Sequence, residues 1–181
     1  MQKRTRWAWW MHHLTQPSTW AVRIYRMAHR LWEFGLHWLA LALTCIARIL
    51  SGVEIHPQAK IGPRFVIAHG VGVVIGETAE IGADCLLLHG VTLGAKDYLE
   101  GRMHPKLGDR VRVGAGAVLL GPITVGDDAF IGANAVVLSD VPPGAIAVGV
   151  PARILRSAGS PGVSGASGDL AGGGDPPPMT L

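Results

Sequence analysis

An apolar side chain recurs at every sixth residue through most of this chain, and glycine or another small residue usually follows it. The series runs Ile55, Ile61 and Ile67, slips by two at Val73-Val74, and resumes at Ile75, Ile81, Leu87 and Leu93. After an insertion it continues at Leu107, Val113, Leu119, Val125, Ile131 and Val137. Small or β-branched residues lie four positions after most of these: Ala59, Val71, Ala79, Cys85, Val91, Val111, Ala117, Ile123, Ala129, Ala135 and Val141. An α-helix cannot use this pattern, because glycine at nearly every turn costs about 1 kcal/mol each against alanine. Short parallel strands joined by tight turns can use it. The apolar residue points inward and glycine permits the corner. The spacing predicts a mainly β fold, a parallel β-helix of hexapeptide repeats over residues 53–156, in which stacking of coils supplies the core.

The flanks have a different composition. All six tryptophans fall within the first 38 residues. Residues 1–50 carry Lys3, Arg4, Arg6, Arg23, Arg26, Arg30 and Arg48 against Glu33, a net charge of +6 in a chain of net +3. The basic balance is therefore local, and it excludes a nucleic-acid footprint spread over the whole protein. Residues 1–52 read as an α-helical segment. Pro17-Ser18-Thr19 makes a helix start, Val22, Tyr25, Met27, Leu31 and Phe34 recur at roughly helical spacing, and Gly35 marks a break. The apolar stretch 36–50 is interrupted by His37 and Arg48 and is short against the ~20 residues of a membrane span. It reads as a helix packed on the rest of the protein or on a partner subunit, with a membrane-surface helix as the alternative. Residues 157–181, rich in glycine and proline, read as a disordered tail. Two cysteines, Cys45 and Cys85, make neither a disulfide framework nor a cysteine zinc site, which fits a reduced, cytoplasmic setting, peripheral to the membrane at most.

Four histidines fall in the repeat region: His56, His69, His89 and His104. Counting hexapeptides and the slip puts His69 and His89 one coil apart in the same column. Leu93 and Leu107 are one hexapeptide plus eight residues apart, so a loop from about Ala95 to His104 is thrown out of the coil. A loop projecting from a rigid scaffold is a usual place to build a site. His69, His89 and His104 are expected to converge, within one chain or across a subunit boundary. His56, before Pro57, reads as structural.

The motifs Gly52-Val-Glu-Ile-His-Pro57, His69-Gly-Val-Gly-Val-Val-Ile-Gly-Glu-Thr78, Val91-Thr-Leu-Gly94, His104-Pro-Lys106 and Gly149-Val-Pro-Ala-Arg153 stand in the order and spacing of serine O-acetyltransferases. The chain resembles that family over roughly residues 20–156, including Arg26-Met-Ala-His-Arg30 in the helical segment. The resemblance implies a left-handed coil and transfer of acetyl from acetyl-CoA to a substrate hydroxyl, with no metal. An aliphatic hydroxyl does not ionise at neutral pH, so a base must take its proton, a contribution of ~10²–10⁴-fold in rate. By resemblance the base is His69, Glu54 fixes its tautomer, and His104 holds the acceptor or its developing charge. His89 is a candidate for the same pocket. For acetyl-CoA the resemblance points to Gly94, Ala115 and Ala133 along the pantetheine groove; Lys106 or Arg153 is a candidate, by charge alone, to meet a CoA phosphate. It also implies a homotrimer or dimer of trimers with sites between adjacent β-helices. Cysteine synthase is a poor match as partner, since the chain ends Met179-Thr-Leu181 where the family docks a terminal isoleucine.

Besides Glu54 for a family aspartate and Ala95 for a family glycine, three departures concern the groups that hold the ammonium and carboxylate of serine. Ala68 stands where the family has aspartate and Met103 where it has arginine, with the adjacent Arg102 as the candidate to reach the substrate in its place; no aspartate occurs in residues 1–50. A sugar or another biosynthetic hydroxyl is therefore the alternative acceptor. A zinc carbonic anhydrase on a similar β-helix would need a ligand pair separated by four residues, which these histidines do not make. Retention of Glu54, His69 and His104 together argues against an inert scaffold.

Overall fold

The computed structural model describes residues 17–97 and 101–156; the predicted disordered tail at 157–181 lies outside the described residues. Residues 1–16 of the predicted helical segment lie outside the described residues; the rest of it forms two helices, α1 (Pro17–Glu33) and α2 (His37–Ser51), separated at Gly35, whose φ of +78° an L side chain rarely adopts. Among the described residues fifteen short strands follow and wind into a three-sided column. The first face holds β1 (Glu54–Ile55), β4 (Val74–Ile75), β7 (Thr92–Gly94), β10 (Val118–Leu120) and β13 (Val136–Val137). The second holds β2 (Lys60–Ile61), β5 (Glu80–Ile81), β8 (Lys106–Leu107) and β11 (Thr124–Val125). The third holds β3 (Val66–Ile67), β6 (Leu86–Leu87), β9 (Arg112–Val113), β12 (Phe130–Ile131), β14 (Ile146–Val148) and β15 (Arg153–Arg156).

The period of six produces this shape directly. A two-residue strand turns one side chain inward and one outward, and each hexapeptide makes one side of the triangle. Parallel pairing puts Ile55 beside Ile75, Ile75 beside Leu93, Leu93 beside Leu119 and Leu119 beside Val137. Every residue of the six-residue series is buried. The small or β-branched residues four positions on are buried too, with one exception. Val71 is 70% exposed, and Val73 fills the interior position instead. The two extra residues therefore lie earlier than the slip at Val73-Val74 suggests, in the corner between β3 and β4, where His69 stands.

A β-helix has open ends, where the first coil's strand carbonyls and the last coil's strand N–H groups have no next coil to pair with. An unpartnered buried carbonyl costs roughly 1–3 kcal/mol. At the N-terminal end α1 meets this need. Ser18, Ala21, Tyr25 and Ala28 form its buried stripe. The Tyr25 hydroxyl donates to the Ala59 carbonyl, the Arg26 guanidinium donates to those of Ile61 and Gly62, and His29 Nδ1 donates to that of Pro57. At the other end β15 folds back antiparallel on β14. Helix α2 packs on α1 but leaves Trp38, Leu41, Ile46, Ile49 and Leu50 exposed. Among the described residues no helix is long and apolar enough to cross a membrane.

Candidate active site

The predicted site residues sort onto two corners of the column. His69 lies on the corner between the third and first faces, after β3. Its φ is +61°, a left-handed conformation that costs a non-glycine residue on the order of 1 kcal/mol. Two contacts hold it there. The Val71 amide donates to the His69 carbonyl at 2.7 Å, and Gly70 is wedged under the helical cap. A Cβ on Gly70 would fall 2.6 Å from the Ser18 Cβ and 3.0 Å from Val53 Cγ2, so only glycine fits. The inserted residues and the helix together push His69 into solvent.

One coil on, His89 occupies the same corner, its ring edge-on to His69 with centroids 6.5 Å apart. Below it follow Ala115 and Ala133. The ladder is continuous, with Gly116 N–H donating to the His89 carbonyl and Asn134 N–H to that of Ala115. This leaves a column of small residues running away from the two histidines. Glu54, at the start of β1, lies on the same side. Its carboxylate is paired with Arg48 of α2 at 3.0 Å and not with the His69 ring.

His104 belongs to the corner between the first and second faces, two residues before β8. The Cδ2–Nε2 edge of its ring lies against Gly76, where a Cβ would sit 2.0 Å from both atoms. Thr78 grips it: the Thr78 hydroxyl is 2.8 Å from His104 Nδ1 and accepts from the backbone amides of Met103 and His104. Burial pushes the His104 imidazole below its ordinary pKa, against an opposing pull from Glu77. His56 faces the same corner; burial lowers it too, and Glu77, His104 and Glu54 act on it. Gly94, in β7, leads into this loop and its carbonyl accepts from Gly121. Gly76→Ala is expected to expel the His104 ring and destabilise the loop, seen as faster proteolysis between Ala95 and His104 with an unchanged circular dichroism spectrum.

A coil must cross the whole first face between these corners, roughly 15 Å at ~3.3 Å per extended residue. His69 and His104 therefore do not converge within one chain. Two further expectations meet competing contacts. Arg102 donates to the carbonyls of Pro122 and Ile123, which ties the loop to the next coil instead of clamping an acceptor. Lys106 is paired with Glu80 at 2.9 Å across the second face. Thr78, which sequence reasoning quoted but gave no role, is the residue it missed. Among the described residues no group of three or more His, Cys, Asp or Glu could hold a metal.

Comparison with known proteins bears on this arrangement. A family model for the bacterial transferase hexapeptide (six repeats) matches residues 104–139. The serine acetyltransferase of Helicobacter pylori strain J99 is 53% identical over 146 residues, covering 81% of this chain and 85% of that protein. The chain belongs to the serine acetyltransferase family. The Mycobacterium tuberculosis serine acetyltransferase is 54% identical over 147 residues, and this chain spans 64% of it. Soybean serine acetyltransferase complexed with serine matches with a TM-score of 0.77 at 46% identity, over 78% of this chain and 58% of that one. A serine acetyltransferase complexed with CoA matches with a TM-score of 0.72 at 45% identity, over 77% and 57%. The column is thus the left-handed parallel β-helix of the serine acetyltransferases.

Proposed function

We propose that this chain transfers acetyl from acetyl-CoA to the hydroxyl of L-serine, in a site shared between two protomers of a homotrimer. The observation that carries the reading is the sorting of site residues onto two corners. One corner has the exposed, left-handed His69 with His89, Ala115 and Ala133; the other has His104 and Gly94. A threefold axis sets the first corner of one protomer against the second corner of the next, and closed cyclic symmetry is the ordinary outcome of such heterologous contact.

In that site His69 takes the hydroxyl proton as the oxygen attacks the thioester carbonyl. A C–O bond forms, the tetrahedral intermediate collapses with loss of the C–S bond, and the departing CoA thiolate recovers the proton from the imidazolium. Glu54 is the nearby carboxylate on that side of the first face and serves to orient the ring, with Arg48 as its competing partner. His104 contacts the acceptor. The column of Ala115 and Ala133 lets the pantetheine arm approach the backbone closely.

A second reading keeps the chemistry and changes the acceptor to a sugar or another biosynthetic hydroxyl. It is favoured by Ala68 and Met103, which offer no charge to a zwitterion, and by the engagement of Arg102 with Pro122 and Ile123. A panel of acceptors separates the two. Thiol release from acetyl-CoA is measured with L-serine, L-homoserine and simple sugars. Fastest turnover with L-serine supports the first reading. Turnover on a sugar with none on serine moves the protein to the second, and absence of thiol release with every acceptor sinks both.

A further inference from the structure

His104 is held by more hydrogen bonds than a surface loop histidine needs, and their directions can be worked out. A threonine hydroxyl has one proton to donate and two lone pairs to accept with. The Thr78 lone pairs are both taken, by the backbone N–H of Met103 at 2.9 Å and that of His104 at 3.1 Å. Its proton is left for His104 Nδ1, 2.8 Å away. The backbone N–H of Thr78 points at the same nitrogen, at 3.3 Å. Two donors thus converge on Nδ1, which must present a lone pair. A proton there would face both of them.

We propose that Thr78 fixes His104 as the neutral imidazole protonated on Nε2, so that the loop histidine works as a hydrogen-bond donor toward the acceptor and not as a second base. Thr78 is a positioning residue that acts through His104. Burial of the ring, which disfavours the imidazolium, works in the same direction. Glu77, which favours it, and His56 are the other titratable groups facing the ring. The edge that carries Nε2 lies over Gly76, so ring position and tautomer are set together by Gly76 and Thr78. In its meaning for catalysis the inference rests on the acyl-transfer reading above. It divides the labour between the two histidines: His69 removes the proton, and His104 donates to the acceptor's carboxylate or to negative charge as it develops.

The test separates the tautomer from the reaction. Long-range proton–nitrogen spectra of histidine-labelled protein, with His104→Gln to assign the resonance, report which ring nitrogen carries the proton and need no substrate. The wild-type protein and Thr78→Ser are expected to show His104 protonated on Nε2. Thr78→Val is expected to shift it toward Nδ1 and to lower kcat/KM for thiol release by roughly 10–100-fold, the range for loss of an orienting partner, with serine restoring both. Wild-type His104 protonated on Nδ1 overturns the proposal. So does Thr78→Val that loses activity while keeping the Nε2 tautomer, since Thr78 would then only anchor the loop. Should the valine variant not fold, the wild-type and serine spectra still decide. No thiol release from wild-type protein with any acceptor, alongside the expected tautomer, counts against the acyl-transfer reading alone.

Discussion

Replacing His69 with alanine is expected to lower thiol release from acetyl-CoA by about 10²–10⁴-fold while leaving the column folded. The reason is chemical: an aliphatic hydroxyl stays protonated at neutral pH, and no other exposed base on that corner stands where the inserted residues push His69 out. His89 is one coil away with its ring edge-on, 6.5 Å from centroid to centroid. Proton removal through it would need the acceptor to move by about one strand spacing, ~4.8 Å. Because residue 69 has a positive φ, asparagine, which tolerates that conformation, is the companion substitution. Both variants should melt close to wild type and both should lose the activity. A His69 variant that melts normally and turns over at the wild-type rate removes the base from the mechanism.

Mixing two inactive proteins is expected to create an active one. His69→Ala and His104→Ala should each be nearly inert alone, but subunits of both kinds in one trimer place an intact His69 corner against an intact His104 corner. With random assembly three trimers in four are mixed, and each mixed trimer has one intact site of three, so recovery should approach about one quarter of wild-type activity. The experiment refolds the two variants together and compares them with each refolded alone. If each site were built within one chain, no mixture would recover anything. The structure already disfavours that arrangement, since the first face separates the two histidines.

The column was legible in the sequence because its physics is periodic. An inward position every six residues tolerates only an apolar side chain, so Ile55 through Val137 announce the coil. The location of the two-residue slip was not legible. Val71 and Val73 are both apolar and both satisfy the period, and only the packing of Gly70 against Ser18 and Val53 decides which of them is inside. Arg26 and His29 carried the family resemblance but no stated physical task; the task, capping carbonyls of the first coil, depends on contacts more than twenty residues away in sequence. Arg102 and Lys106 were singled out for their charge. Charge alone could not reveal that the Pro122 and Ile123 carbonyls and Glu80 would occupy them first. Thr78 went unassigned for a similar reason. Its grip on His104 joins residues 26 apart in sequence and exists only in the folded chain.

The closed ends of the column have a consequence for how the protein behaves in bulk. Stacked parallel strands have no intrinsic length, and any uncovered terminal coil offers hydrogen-bonding groups on which another molecule's coil can add. Here Tyr25, Arg26 and His29 occupy the carbonyls at one end, and β15 covers the other. Removal of residues 1–52 would strip one plug while leaving every repeat intact. Such a fragment has one open end and one covered end, so it should lose solubility at the bare coil, while growth into fibres would need β15 removed as well. The helices and β15 act together as chain terminators that keep a polymerisable repeat as a discrete protein.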